Sequence, residues 1–479
     1  MNDLTFASAT VIAEKIRNKD VSPREILQHY LDRVDRYNAE LNIVVVDDRE
    51  RALAASDAPS LTDKAPFSGV PMTVKESFNL VGHPTTWGNP EWRDNVADTD
   101  AVAVSKLKAA GANIFGKTNV PLALADLQSY NDVYGTTNNP YDLQRGPGGS
   151  SGGSAAALAA GFSALELGSD IGGSIRNPAH FCGVFGHKPT HNLLVMRGHA
   201  PPEETRAIPD ISVIGPLARS AQDLDAAMRV LAGPDEIMAR GYRLDLPEWK
   251  GRSVNGLRVA VWSNDEIAPV TKEVTARVEQ VAQALADAGA SVNHCARPDF
   301  SAKHSHNVYQ NLLQATMASR MAAEEYASLQ AYVADMDPED TSHKATVMRA
   351  QVASFRDWSA YNELRHQLRW AWHAFFEDYD VLLTPVTASA AFPHDHGKFG
   401  DRTIDVDNNR QPYFDQVFWA GLTGVSFLPS TIVPTGLNDA GLPIGVQIVG
   451  PEYADLITIG VATELEQAGF SFVPPPRYV

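Results

Sequence analysis

The sequence is poor in cysteine and has fewer basic than acidic residues. Its 479 residues include two cysteines, Cys182 and Cys295, which lie far apart and in no metal-like spacing, so no disulfide framework is expected. Lysine and arginine total 40 against 58 acidic residues, which gives a formal net charge of −18. Nucleic acids and anionic membranes bind basic surfaces, so neither is an expected partner.

Long apolar runs and a recognisable export segment are also missing. No stretch approaches the roughly 18 consecutive apolar residues that a membrane-spanning helix needs. The first residues, MNDLTFASAT, lack the basic and apolar parts of a secretory signal. Hydrophobic residues make up 44% and charged residues 20% of the chain, as in ordinary globular proteins. We therefore expect a cytoplasmic protein.

The apolar spacing predicts strands and helices in alternation. Ser22-Pro23-Arg24-Glu25 has the pattern of a capping box with proline at the first helical position. Short apolar runs at 70–74, 113–115 and 162–167 predict strands. The segment 301–379 is different, because its pattern is almost purely helical.

This alternation predicts an α/β fold with one large domain. Strands separated by helices favour parallel crossovers, so we expect a mixed, mostly parallel twisted sheet covered by helices on both faces. There is no internal repeat and no low-complexity linker. The expected domain spans residues 1–479, with a core at about 60–230 and 412–479 and a helical elaboration at about 300–380.

Two glycine–serine clusters, GGSSGG at 148–153 and GGS at 172–174, are the most unusual feature of the chain. A flexible linker is a poor interpretation of the first, because it passes directly into the helical pattern SAAALAA. A phosphate-binding loop would need a lysine that neither cluster has. Residues 149–153 also match the nucleophile elbow GxSxG with Ser151 as nucleophile. That motif needs a preceding strand, whereas NNPYDLQRGP is polar and contains two prolines.

A fourth interpretation makes the clusters two walls of one site. Glycines before Ser174 allow a tight turn in which successive N–H groups converge, as in the oxyanion hole of acyl-transfer enzymes. A serine nucleophile also needs a base. No histidine is an obvious partner, but Ser150 and a lysine elsewhere could relay the proton.

Three longer stretches resemble one known family. GGSSGGSAAALAAG, GSDIGGSIRNPAHFCGVFGHKPT and the upstream GVPMTVKESFNLVG are similar to the amidase signature family, as are AGANIFGKTNVPLA and GLPIGVQIVGP. The resemblance covers most of the chain and is weakest over about 235–410. It implies the family's α/β fold and a Ser–cis-Ser–Lys triad. In this sequence Ser174 is the implied nucleophile, Ser150 the bridging serine after a cis peptide at Gly149, and Lys75 the base.

The resemblance also implies supporting roles for residues around the triad. The implied oxyanion hole consists of the amides of Ile171, Gly172, Gly173 and Ser174. The residues expected to support the site by hydrogen bonding are Ser151, Asp170 and Arg176. The expected substrate pocket consists of Leu124, Ala125, Asp126 and Trp87. For Trp87 and the nearby Trp92, ordinary packing is an equally open interpretation.

Some residues depart from the family pattern. Glu76 follows the lysine where aspartate is more usual, and His191-Asn192-Leu193-Leu194 replaces a Gly-Arg-containing turn. The absent arginine argues against the subunit that transamidates glutamyl-tRNA, as does Asn177 where that subgroup has glutamine. The proline-rich segment Gly198–Asp210 is expected to shape the pocket mouth.

The expected activity is therefore cleavage of a carboxylic amide C–N bond, with esters, anilides and carbamates as further possible substrates. The alternatives are a glutamyl-tRNA amidotransferase A-type subunit and a catalytically silent binding protein. The expected partners are a small amide and water, and a homodimer is left open. No cofactor is expected, and no metal, since we expect the pairs His304/His306 and His394/His396 to lie in loops without a third ligand.

Overall fold

The computed structural model describes residues 4–57, 65–201 and 206–479. Within these ranges the chain forms fourteen α-helices and fifteen β-strands. The helices are α1 (Ala9–Arg17), α2 (Pro23–Leu41), α3 (Arg49–Ser56), α4 (Val102–Ala109), α5 (Gly152–Ala159), α6 (Arg176–Cys182), α7 (Ala221–Leu231), α8 (Lys272–Asp287), α9 (Ala302–Ala318), α10 (Ala323–Ala334), α11 (His343–Gln351), α12 (Phe355–Asp378), α13 (Val417–Gly424) and α14 (Asp455–Gln467). The strands are β1 (Val44–Asp47), β2 (Pro71–Lys75), β3 (Asn113–Thr118), β4 (Tyr130–Asn131), β5 (Gly135–Thr136), β6 (Leu165–Asp170), β7 (Phe185–Lys188), β8 (Val213–Ala218), β9 (Arg258–Val261), β10 (Ser291–Asn293), β11 (Val381–Pro385), β12 (Thr403–Val406), β13 (Asn409–Pro412), β14 (Ser430–Leu437) and β15 (Pro443–Val449).

Eight strands form the central mixed sheet, in the order β10-β9-β11-β15-β14-β7-β8-β6. The predicted α/β class with a mixed sheet flanked by helices is confirmed. The expectation that most strands pair in parallel is wrong, because only β10/β9 and β9/β11 do so and the other five pairs are antiparallel. The crossover β6–α6–β7 does connect two strands of like direction, but β8 lies between them. Strands and helices that alternate along the sequence predict such crossovers. They do not show that a later strand lies between the two connected strands.

A second, three-stranded sheet in the order β1-β3-β2 carries Lys75 at the end of β2. β2 lies beside β6 of the central sheet. Here the Ala164 N–H donates to the Pro71 carbonyl at 3.2 Å, and the Thr73 N–H donates to Ser163 Oγ at 3.0 Å. All five residues of β2 are buried, so this contact carries a lysine into the interior.

Helices cover the sheets as the apolar spacing predicts. The capping box at α2 forms, with the Glu25 N–H on Ser22 Oγ at 3.1 Å and the Ser22 N–H on Glu25 Oε2 at 2.8 Å. All eight residues of α5, the alanine-rich helix between the two clusters, are buried. Small side chains suit that position because they let the helix approach β6 closely. In the described ranges, no helix combines the length and apolarity needed to cross a bilayer.

Candidate active site

Lys75 lies at the centre of a cluster of hydroxyl groups. Its side chain is fully buried, and its Nζ lies 2.7 Å from Ser150 Oγ, 3.0 Å from Ser151 Oγ and 2.9 Å from Ser169 Oγ. The first two serines precede α5, and the third lies on β6. The contact between the two sheets therefore brings together residues that lie far apart in the sequence.

The surroundings of Lys75 favour an uncharged amine. Burial lowers the pKa of Lys75 well below its usual value of 10.5, and the negative charge of Asp170 opposes this only in part. The Ser151 hydroxyl donates to the Ser169 carbonyl at 3.2 Å, so it accepts a hydrogen bond from Lys75. A neutral amine has two N–H donors and one lone pair, which matches three surrounding hydroxyls. Ser150 can then donate its proton to Lys75.

Ser150 is held in place by a crowded glycine. The Gly149–Ser150 peptide is cis, as the resemblance implies. A Cβ on Gly149 would lie 2.5 Å from the Asp126 carbonyl oxygen and 2.6 Å from the Gln128 nitrogen. Only glycine fits at that distance, because both neighbours are backbone atoms. The first glycine–serine cluster therefore packs directly against the segment that contains Asp126.

Ser174 lies in the loop between β6 and α6, close to Ser151. The Ser174 carbonyl accepts the Ser151 N–H at 3.1 Å, and Ser174 is 6% exposed. Its hydroxyl makes no hydrogen bond to any residue in the described ranges. A backbone hydrogen bond thus joins the second cluster to the first, and the Ser174 hydroxyl has no partner among the described residues.

The elbow interpretation of Ser151 does not fit this arrangement. Between β5 and α5 the structure describes isolated bridges, Asn139 with Asp142 and Arg145 with Pro393, and no strand that leads into Ser151. The Ser151 hydroxyl is fully buried and engaged by Lys75 and β6. Ser151 is therefore placed to orient the amine.

Asp170 shapes the loop that contains Ser174. Its carboxylate accepts the N–H groups of Gly173 at 2.9 Å, Ile175 at 3.0 Å and Arg176 at 3.3 Å. The Gly173 N–H is therefore occupied, which corrects the predicted oxyanion hole at this position. The N–H groups of Ile171, Gly172 and Ser174 have no hydrogen-bond acceptor among the described residues. Three of the four predicted donors are thus available to a ligand.

A buried ion pair fixes Asp170 in turn. Arg176 Nη2 lies 2.8 Å from Asp170 Oδ1, and both side chains are buried. Burial alone would raise the pKa of Asp170, but the Arg176 charge and the N–H donors lower it to about 2. The same guanidinium donates to the Ala420 carbonyl and to Gln447 Oε1, each at 3.0 Å. Arg176 therefore connects the loop to α13 and β15.

The predicted pocket residues occupy two different environments. Trp87 is buried, and its backbone N–H donates to Glu76 Oε2 at 2.9 Å. Leu124 is half-buried and Ala125 is exposed, on the segment whose Ala123 N–H donates to the Trp87 carbonyl at 2.7 Å. This hydrogen bond joins the buried Trp87 to a segment that reaches the surface, and we call the two together the wall.

Asp126 is on the same segment, but its carboxylate is already bound by protein groups. It accepts hydrogen bonds from Arg402 Nη1 at 2.6 Å and from the Tyr413 hydroxyl at 2.7 Å. We therefore expect its backbone, which borders Gly149, to face a substrate more readily than its side chain.

The residues that cover the loop between β6 and α6 from the helical region were not predicted from the sequence. The Tyr309 hydroxyl on α9 donates to the Ile171 carbonyl at 3.2 Å. A Cβ on Gly173 would lie 3.2 Å from Ala420 Cβ on α13. Tyr309 belongs to the part of the chain where the resemblance is weakest, and no local pattern marks a residue that acts across such a distance in sequence.

The histidine pairs do not gather into a larger cluster. His304 and His306 lie on α9 and not in a loop, while His394 contacts Asn138 at 2.9 Å and His396 stacks on Tyr130. In residues 4–57, 65–201 and 206–479, no three His, Cys, Asp or Glu side chains form a group that could hold a metal ion. Of the predicted mouth segment Gly198–Asp210, residues 202–205 lie outside the described ranges.

Comparisons with known proteins agree with this geometry. A family model described as "Amidase" matches residues 25–458. Indoleacetamide hydrolase of Bradyrhizobium diazoefficiens is 32% identical, with 96% of this chain and 86% of that protein covered. The A-type subunit of glutamyl-tRNA(Gln) amidotransferase from Carboxydothermus hydrogenoformans is 29% identical, with 97% and 98% covered.

A solved structure of a bacterial aryl acylamidase from the amidase signature family superposes with a TM-score of 0.79. It is 25% identical and covers 99% of this chain and 97% of that one. The family match and the relatives extend over nearly the whole chain, including both glycine–serine clusters and β2. The chain therefore belongs to the amidase signature family.

Proposed function

We propose that the chain is an amidohydrolase that cleaves the C–N bond of a carboxylic amide through an acyl-enzyme on Ser174. Lys75 is the base, Ser150 passes the proton, and the N–H groups of Ile171, Gly172 and Ser174 bind the oxyanion. The observation that carries this proposal is the 2.7 Å contact between Ser150 Oγ and a fully buried Lys75 whose pKa is lowered. A neutral amine beside a hydroxyl is what a lysine base requires.

In the first half-reaction, Lys75 Nζ accepts the proton of the Ser150 hydroxyl while Ser150 accepts that of Ser174. The Ser174 oxygen bonds to the carbonyl carbon, and the carbonyl electron pair moves onto its oxygen, which receives N–H donors in the loop. When the carbonyl reforms, the C–N bond breaks. The proton returns through Ser150 to the nitrogen, which leaves as ammonia or an amine.

The second half-reaction uses the same groups with water as nucleophile. Water gives its proton through the relay to Lys75 and bonds to the acyl carbon. The bond between that carbon and Ser174 then breaks, and Ser174 recovers its proton. The products are a carboxylic acid and the free enzyme, with no change of oxidation state.

The name of one relative supports a second candidate, an amidotransferase A-type subunit that releases ammonia for a partner. The two candidates share the chemistry at Ser174 and differ in their dependence on other chains. Hydrolysis by the purified chain alone supports the amidohydrolase. Glutaminase activity that arises only with further protein chains present supports the amidotransferase.

The proposal is tested by a hydrolysis panel of acetamide, benzamide, anilides, carbamates and p-nitrophenyl esters, run on the wild type and on Ser174→Ala. We expect at least one amide to be cleaved and Ser174→Ala to lose at least about 10³-fold in kcat, because the covalent route is removed. Ser305→Ala is the matched control, since Ser305 is fully buried on α9 and its hydroxyl has no partner in the described ranges. Full activity in Ser174→Ala would exclude this nucleophile.

A further inference from the structure

Arg320 follows the end of α9 and stacks on the predicted pocket residue Trp87. Its guanidinium carbon lies 4.8 Å from the centroid of the Trp87 ring. Arg320 is exposed and makes no hydrogen bond or ion pair with any residue in the described ranges. We propose that Arg320 binds a carboxylate on the substrate, at the end remote from the scissile amide. This inference rests on the proposed amidohydrolase function and adds a substrate class to it.

A short series of contacts connects Arg320 to the catalytic lysine. The Trp87 ring lies 5.3 Å from the His199 ring, and His199 Nε2 lies 3.0 Å from Ser77 Oγ. Ser77 is two positions after Lys75 in the sequence. Burial lowers the pKa of His199 well below 6.5, and the charge of Arg320 lowers it further. Arg320 is therefore linked, through Trp87 and His199, to the segment that directly follows Lys75.

The same wall reaches the surface, so a substrate could extend along it. The Trp87 carbonyl accepts the Ala123 N–H at 2.7 Å, and Leu122, Ala123 and Ala125 are exposed. In this proposal the amide of the substrate lies at Ser174 and its carboxylate end lies near Arg320. The outer end of the wall is where an ionised group keeps part of its hydration, which lowers the free energy cost of binding it.

The carboxylate of Glu76, which binds the Trp87 backbone, does not pair with Arg320. Glu76 is buried, and its oxygens accept the N–H groups of Thr86 and Trp87 and the hydroxyl of Tyr134. Partial loss of water around the guanidinium lowers the pKa of Arg320, but a guanidinium remains cationic at neutral pH. Since no carboxylate of residues 4–57, 65–201 and 206–479 pairs with this cation, its N–H groups are open to an anionic ligand as far as the structure describes the chain.

The geometry of an arginine on a tryptophan favours a carboxylate. Stacking holds the guanidinium against a fixed ring and leaves its N–H edge open. That edge presents two parallel donors, which match the two oxygens of a carboxylate. The alternative is that Arg320 only covers the Trp87 ring. In that case any side chain of similar size would keep the packing, and the rate of reaction would not depend on the charge of the substrate.

The test compares two fluorophosphonates of equal length, one ending in a carboxylate and the other in its methyl ester, each made with several spacer lengths. The rate of labelling at Ser174 is measured by intact-protein mass spectrometry for the wild type, Arg320→Gln and Arg320→Lys. Arg356→Gln is the control, because Arg356 is an exposed arginine on α12 and does not stack on Trp87.

We expect the wild type to react about 10-fold faster with the carboxylate probe at its best spacer length, the size of one charge-assisted hydrogen-bonded contact. The ratio should fall to about 1 in Arg320→Gln, recover in part in Arg320→Lys and stay unchanged in Arg356→Gln. Equal ratios in the wild type and Arg320→Gln would overturn the carboxylate site while leaving the amidohydrolase proposal intact. Failure of both probes to label Ser174 would instead contradict the proposed function and this inference with it.

Discussion

At the scale of single residues, burial shifts the pKa values of two ionisable groups on β2 and β6 in the direction that favours their uncharged forms. Lys75 is one of them. Glu166 on β6 is another, since it is buried, the Thr73 hydroxyl donates to Oε1, and Oε2 has no partner among the described residues. Burial raises the pKa of Glu166 to about 8, although hydrogen bonds to neighbouring hydroxyls favour its charged form. The folded protein therefore keeps the Glu166 proton in a pH range where the unfolded chain loses it.

This difference makes Glu166 a source of pH-dependent stability. Between about pH 4.5 and pH 8 the folded state holds one more proton at Glu166 than the unfolded state, so its contribution to the free energy of unfolding decreases as pH rises. Glu166→Gln removes that proton exchange. We expect urea unfolding between pH 5 and pH 8 to show a slope that is less negative by up to about 1.4 kcal/mol per pH unit in Glu166→Gln.

The exposed Glu50 supplies the control for this measurement, as Glu50→Gln. An unchanged slope in Glu166→Gln would mean that Glu166 is ionised in the folded state.

Among single residues, the sequence predicts those that belong to local motifs. The structure brings Lys75, Ser150 and Ser151 into one cluster, and each is part of a stretch with a recognisable pattern. The occupied N–H of Gly173 could not be predicted, because it depends on how the Asp170 carboxylate is oriented by Arg176. Tyr309 has no such signal either, since its contact with Ile171 depends on the position of α9 relative to β6.

At the scale of elements, the hairpin of β12 and β13 is joined to the segment that borders Ser150. Arg402 is buried and binds Asp126 at 2.6 Å and the Tyr130 hydroxyl at 2.6 Å. The Tyr413 hydroxyl, just after β13, adds a bond to the other Asp126 oxygen. Because the Asp126 backbone packs against Gly149, this ion pair supports the position of the segment that contains Ser150.

Breaking the Asp126–Arg402 pair should therefore affect stability more than two independent substitutions would suggest. Arg402→Ala leaves a buried carboxylate without its cation, and we expect a loss of about 3 kcal/mol in the free energy of unfolding. Asp126→Asn removes that charge, so the double variant should lose less than the sum of the single variants. A double-mutant cycle by urea unfolding measures the coupling. Additive effects would show that the pair contributes no interaction of its own.

The individual elements are more predictable than their arrangement. The capping box of α2 and the buried strand β2 follow from spacing within a few residues. The strand expected at 162–167 lies at Leu165–Asp170. It extends beyond the apolar run into glycine and serine, which a strand tolerates where both of its faces are covered. The predicted direction of neighbouring strands is wrong, since β8 enters between β6 and β7 from 25 or more positions along the chain.

At the scale of the whole molecule, the site is assembled from both ends of the chain. The C-terminal strands β14 and β15 lie in the interior of the central sheet, between β7 and β11. Arg176 extends this connection from the Ser174 loop to α13 and β15. No local pattern in a single sequence predicts such long-range strand pairing. A resemblance to a family of known fold predicts it indirectly. The cytoplasmic location and a homodimer stay predictions.

The proposed mechanism depends on an uncharged Lys75 that activates Ser174. The most direct test is the pH dependence of Ser174 acylation by a p-nitrophenyl ester, followed as the burst of p-nitrophenol with the site identified by mass spectrometry. Because burial lowers the pKa of Lys75 below 10.5, the rate should rise with pH to a plateau reached below that value, as the amine loses its proton. In Lys75→Met, a variant of similar size, we expect a rate at least about 10³-fold lower and without that rise. An unchanged profile in Lys75→Met, or an acyl group on a residue other than Ser174, would contradict the account.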